Sequence, residues 1–139
     1  MTGEIEFPLE FVVKGTAVSA QAKRRDTIER WKTKIIEASR SALPDGHFAT
    51  VARLAATLFY FPADEMEGDL NNIVKPILDA MNRHIYMDDR QIHRIVVQKF
   101  EPEGVFDFLL PSSALRNALD RPKPVLYIRL SDDPFEDLA

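Results

Sequence analysis

Apolar positions along this chain repeat with two periods, and the switches between them predict its elements. Residues 5–14, IEFPLEFVVK, carry a strand pattern, with Pro8 suited to an edge or an irregular start because proline cannot donate to a ladder. From Ser19, a plausible cap, a long helix is predicted over about 20–42. Ile28, Trp31, Ile35, Ala38 and Ala42 recur there at steps of three and four and form one apolar stripe. Leu43-Pro44-Asp45-Gly46 stops that helix by turn chemistry. Residues 50–61, TVARLAATLFYF, read as a central strand, and 62–68 as an acidic loop. In DLNNIVKPILDAMN, Ile73, Ile77, Leu78 and Met81 return to helical spacing. Pro76 belongs in a first turn or at a kink, which puts Asp69, Leu70 and Asn71 at the entrance of the helix. A connector over 84–89 ends in Asp88-Asp89. A strand over 92–100, a short helix near 112–120 and a last strand over 124–130 complete the order. Without repeats or low-complexity linkers, this predicts a single compact α+β domain with a mixed β-sheet packed by helices, spanning 1–131, and an acidic, mobile tail over 132–139.

Composition narrows the chemistry. The 139 residues suffice for one core, and the absence of cysteine rules out disulfides and thiolate metal sites. No apolar run approaches the roughly 18 residues of a membrane span, and the first residues carry acids where a secretory signal carries basic residues. The expectation is a cytoplasmic domain with no membrane partner. A formal charge of −4 argues against nucleic acid until its distribution is considered. Asp64, Glu65, Glu67 and Asp69 hold four negatives, and Asp132, Asp133, Glu136 and Asp137 four more, so the rest of the chain is +4. Lys23, Arg30 and Lys34 lie to one side of the apolar stripe of the first helix, a local patch that permits a phosphate partner. Such a face is more often ordinary solvated surface, so it permits a DNA partner without demanding one.

Two acidic groups draw attention: Asp69 with Asn71 at a helix entrance, and Asp88-Asp89 before a strand about 20 residues on. A helix out and a short connector back can bring the two together, since a helix rises only ~1.5 Å per residue. Oxygen ligands of this kind suit Mg²⁺ or Mn²⁺, and Lys75 follows near enough to serve a phosphate. Each residue also has a plain structural use: Asp69 or Asn72 as a helix cap, Asp88-Asp89 as a turn, and Lys75 as a solvated helix residue. His47, His84 and His93 are scattered, Ser112-Ser113 lacks a nucleophile-elbow context, and five glycines without a phosphate-cradling pattern leave no place for a nucleotide cofactor.

Taken as one run, GDLNNIVKPILDAMNRHIYMDDRQIHRIVVQK resembles the signature of the RusA family of Holliday-junction resolvases. Asp69, Asn72, Lys75, Leu78, Asp79, Ala80, Asp88, Asp89, Gln91 and Lys99 match that pattern in register. The resemblance implies a homodimeric, Mg²⁺-dependent endonuclease that nicks branched DNA. It assigns Asp69 and Asp89 as metal-binding and catalytic carboxylates, with Lys75 assisting. Asn71 and Asp88 complete the expected metal set, and Lys23, Arg30, Lys34, Lys75 and Lys99 the expected DNA contacts. The chain departs from the family at Asn71, where the pattern has its second aspartate. An amide still offers a carbonyl oxygen but removes one negative charge, and Glu67, Asp64 or Glu65 stands near enough in sequence to replace it. The alternative is a catalytically silent protein that binds branched DNA with the same fold.

Overall fold

Along the central strand Leu54, Ala56, Leu58 and Tyr60 bury into one core, while Phe59 and Phe61 join a second core on the opposite side of the sheet. That alternation is the period-2 geometry of a pleated strand covered on both faces. Residues 3–66 and 68–136 are described in the computed structural model. The elements run β1 (Leu9–Lys14), α1 (Arg25–Ser39), β2 (Leu54–Phe61), a 3₁₀ turn (Leu70–Ile73) leading into α2 (Val74–Met81), a second 3₁₀ turn (Asp89–Gln91), β3 (Ile92–Lys99), α3 (Ser113–Asp120) and β4 (Val125–Ser131). The four strands form one mixed sheet in the order β1-β4-β2-β3. β4 pairs antiparallel with both β1 and β2, while β2 and β3 are parallel. The molecule is a single α+β domain, as its periodicities predict.

The larger core joins the α1 stripe, through Trp31 and Ile35, to Ile77, Leu78 and Met81 of α2 and to the sheet. Each fully buried Leu or Ile there contributes about 2 kcal/mol of transfer free energy. The smaller core sets Leu115 and Ala118 of α3 against Phe61, Val125 and Tyr127, with Phe59, Phe100 and Phe108 packed around them. β2 is internal, as expected, and β3 is an edge strand that leaves Ile95 exposed.

Two boundaries differ from the sequence expectation. The first helix begins at Arg25, not near Ser19. Ser19 instead closes a local turn by accepting the Gln21 amide at 3.0 Å, and the Ala20 amide donates to the Asn72 carbonyl at 2.8 Å. That bond across the fold ties the 19–24 segment to the entrance of α2 and keeps it out of the helix. Beyond β4, Glu136 pairs with Arg129 at 2.6 Å, so residues 132–136 fold back onto the sheet, and residues 137–139 lie outside the described part. The Arg129 hydrogen bond holds the Glu136 carboxyl below its ordinary range.

Candidate active site

Parallel strands cannot be joined by a tight turn, so the chain must cross over between β2 and β3, and that crossover carries the site. It leaves β2 through the 62–68 loop and reaches Asp69 in an extended conformation (φ −89°, ψ 138°) at the start of the first 3₁₀ turn. Asp69 holds a capping position, yet its side chain accepts no cap hydrogen bond. Its exposed carboxylate has no hydrogen bond or ion pair among the described residues. Pro76 falls in the first turn of α2, where its missing amide hydrogen costs nothing. One residue earlier Lys75 points to the exposed side. Its Nζ lies 2.8 Å from Asp79 Oδ1, one turn on, and 3.6 Å from Asp89 Oδ2.

The return path explains how Asp89 reaches that lysine. After α2 the chain reverses at Arg83, which adopts a left-handed conformation (φ 65°), and its amide donates to the Tyr86 carbonyl. The reversal drives the Tyr86 ring into the core, fully buried, with its hydroxyl 2.8 Å from the Leu78 carbonyl and 3.1 Å from Asp89 Oδ1. Asn82 Nδ2 donates to the same carboxylate oxygen at 3.2 Å. One oxygen of Asp89 thus accepts from the Asn82 amide and shares the single Tyr86 hydroxyl proton with the Leu78 carbonyl, while the other faces the Lys75 ammonium. Burial, and then the Asp89 charge, push the Tyr86 phenol far above its ordinary value, so it stays a neutral donor. The hydrogen bond to Asp79, reinforced by the charges of Asp79 and Asp89, holds the Lys75 ammonium above its ordinary value.

Of the residues expected in the site, the fold brings Lys75 and Asp89 together. Asp88 is committed elsewhere. It caps the second 3₁₀ turn by accepting the Arg90 amide at 2.9 Å, Gln91 completes the reciprocal capping box, and the Arg90 guanidinium pairs with it at 3.3 Å. These bonds, the backbone one first, hold its carboxyl below the ordinary range. Asn71 is exposed within the first 3₁₀ turn. Glu67, the acid nearest to Asp69 in sequence, lies outside the described residues. No hydrogen bond or ion pair links Asp69 to Asp89, and no three acids or histidines gather tightly enough to hold a cation unaided among the described residues. The donor chemistry still fits a hard divalent cation: an uncommitted exposed carboxylate at Asp69 and a pre-oriented one at Asp89. Mg²⁺ is commonly held by one or two carboxylates, with waters and substrate phosphates completing its shell.

Asp69 also borders a cleft of about 350 Å³ between residues 62–66 with Gly68 and the segment ahead of α1. Asp64 and Glu65 share its rim, and the buried Tyr60 and Ile73 line it. The expected DNA contacts differ in how they are paired. Arg30 lies 3.8 Å from Asp26 and Lys99 lies 3.5 Å from Glu101, whereas Lys23 and Lys34 have no ion pair among the described residues. Lys34 lies along Gly15, where a built β-carbon would stand 3.4 Å from its Nζ, next in the chain to the cleft-lining Thr16.

Sequence inspection missed Tyr86, Asn82 and the role of Asp79 as a partner of Lys75. Tyr86 had no motif to mark it, but Asp88-x-x-Gln91 is a capping-box spacing that was there to be read. His84 turns away from the acids: its Nε2 lies 2.8 Å from Ser39 Oγ, and its carbonyl accepts from His47 Nε2 at 2.9 Å. Burial, then the His47 and Arg40 charges, lower its pKa from 6.5. The folded value is therefore below the unfolded one. Its contribution to stability is complete above about pH 6.5 and is lost as pH falls through the folded value. Thermal melts between pH 7 and pH 5 should show a decline that is smaller in His84→Asn; an identical decline in both would remove His84 from the cause.

The fold is α+β, and its parallel crossover sets Lys75 against an oriented Asp89 and carries the uncommitted Asp69 at its first 3₁₀ turn. The sequence matches the family described as Endodeoxyribonuclease RusA over residues 1–105, and the chain belongs to that family. The match takes in β1 to β3 and the whole crossover, while α3 and β4 lie beyond it. A comparison with curated proteins found no match.

Proposed function

We propose that this protein is a divalent-metal-dependent endonuclease that nicks branched DNA such as Holliday junctions, acting as a homodimer. Family membership supports the nuclease class and its branched substrate. The observation that carries the chemistry is the convergence of Lys75 on Asp89, in the same crossover that leaves the Asp69 carboxylate uncommitted. Asp69 and Asp89 would hold the metal, with the Asn71 amide as a further oxygen donor. When bound, Mg²⁺ or Mn²⁺ supplies an acidified water and neutralises charge on the phosphate. Tyr86 and Asn82 fix the carboxylate of Asp89, so that little is lost in ordering it when the substrate arrives. Lys75 gives a positive charge that can move from Asp79 toward the developing negative charge on a scissile phosphate. Two such sites in a two-fold dimer would meet the two opposed strands of a symmetric junction. The apolar run with Val105, Leu109 and Leu110 fully exposed supports a partner surface of some kind.

Lys23, Arg30, Lys34, Lys75 and Lys99 are the proposed phosphate contacts. Junction affinity should fall linearly with salt on a log–log plot, and each contact removed by substitution should flatten the slope by roughly one unit. Affinity that ignores salt would rule out these residues as the DNA surface.

Asn71 gives the most specific test of the metal reading. Asn71→Asp restores a charge beside Asp69 and should raise cleavage at limiting Mg²⁺ by roughly tenfold, because cation affinity follows ligand charge. If Glu67 already supplies that charge, the gain vanishes and Glu67→Gln becomes as damaging as loss of Asp69. Wild-type metal titrations in both variants would remove position 71 and its neighbour from the site. Rescue of cleavage from zero by Asn71→Asp would make the natural chain a silent junction binder.

A further inference from the structure

The chemistry proposed above uses Asp69, Lys75 and Asp89 and leaves unassigned the 350 Å³ cleft that Asp69 borders. Its size is at the lower end of the ~300–1,000 Å³ typical of ligand pockets, room for a nucleoside and not for a duplex. Ala17, Met66 and Ile73 give it apolar walls of the kind that face an aromatic ring. Tyr60 reaches it from beneath, 3% exposed, with its hydroxyl accepting the Ala17 amide at 3.0 Å. No acceptor for the hydroxyl's own proton is found among the described residues. Burial keeps that phenol protonated.

Charge decides what can enter. Asp64, Glu65 and Asp69 around the rim oppose an anion, so a phosphate is excluded from the interior. A neutral, flat group with N–H donors meets acceptors at the same carboxylates, the pairing by which acidic side chains take a base's exocyclic amino group. We infer that this cleft receives one unstacked nucleobase, bearing an exocyclic amino group, from the strand whose phosphate lies at Asp69. The inference rests on the nuclease reading and adds a second contact to it: the phosphate stays outside with the metal ligands and Lys34, and the adjoining base turns inward. Unstacking costs least where pairing is already interrupted, which a branch point supplies. The cleft would thus favour branched DNA over duplex and discriminate among bases next to the cut, with thymine, which lacks an amino group, received least well.

The test uses a four-way junction carrying the fluorescent base 2-aminopurine at one position at a time near the branch point. Emission is read in Mg²⁺ immediately on mixing, ahead of cleavage, and at protein concentrations that saturate binding. One position should brighten several-fold on binding, as an unstacked base does. The brightening should disappear in Ala63→Trp and in Thr16→Trp, which fill the cleft from exposed positions on two different segments. Circular dichroism checks that each variant folds. With unlabelled junctions, thymine at the same position should slow wild-type cleavage several-fold and leave the filled variants indifferent. Binding with no brightened position, or brightening that persists in both folded variants, overturns the cleft assignment while junction cleavage stands. Absence of any junction binding overturns the nuclease reading beneath it.

Discussion

Asp69→Asn is expected to reduce cleavage of a four-way junction by about 100-fold or more, the scale seen when one preorganised electrostatic contact to a transition state is removed. Folding and junction binding should survive. The side chain is exposed and accepts no cap hydrogen bond, so the substitution breaks no structural bond among the described residues. Asparagine keeps the shape and removes only the charge that a cation requires. A cleavage time course under saturating Mg²⁺, with a thermal melt and a binding titration on the same preparation, checks all three. If the variant cuts at the wild-type rate, Asp69 is a turn residue and the site must be sought elsewhere. If instead it unfolds, the exposed position has a structural role that its geometry does not reveal.

Lys75→Met should be nearly as damaging to cleavage and equally harmless to the fold. The Lys75 ammonium is bonded to Asp79 at 2.8 Å and faces Asp89 at 3.6 Å, but its side chain is 62% exposed. Exposed pairs contribute only about 0–1 kcal/mol, so the melting temperature should hardly move. Loss of the charge at a phosphate undergoing attack is a different matter, and a fall of roughly 100-fold in turnover is expected. Because one phosphate contact also goes, the salt slope of binding should flatten by about one unit. A variant with normal turnover and a lowered melting temperature would make Lys75 a structural counter-ion. Tyr86→Phe separates positioning from charge. It removes a hydroxyl from Asp89 while leaving Lys75 in place, so it should raise the Mg²⁺ concentration needed for half-maximal cleavage without changing the salt slope.

The sequence carried the strands and the crossover helix well because their periods are set by burial on a sheet. The alternation Leu54, Ala56, Leu58, Tyr60 and the stripe Trp31, Ile35 can be read without coordinates, and both face the core. The start of α1 could not be read in that way. Ser19 has the chemistry of a cap, but the bond from the Ala20 amide to the Asn72 carbonyl joins residues far apart in sequence and overrides it. The candidate site divides along the same line. Lys75, Asp79 and Asp89 match the family pattern, and the fold joins them. Tyr86 and Asn82 reach Asp89 only because Arg83 reverses the chain, a conformation that composition does not announce. Asp88 and Asp89 are adjacent and chemically identical, yet one caps a turn and the other faces the lysine. Only the direction of each side chain tells them apart, and in an irregular turn no period fixes it.

The central claim is metal-dependent cutting of branched DNA, and one assay addresses it directly. A four-way junction labelled on each strand in turn is incubated with the protein, with Mg²⁺ and with chelator, beside a linear duplex of the same sequence. The account predicts nicks on two opposed strands of the junction in Mg²⁺, none with chelator, and little cutting of the duplex. An intact junction under all conditions despite tight binding, or equal cutting of junction and duplex, would contradict it.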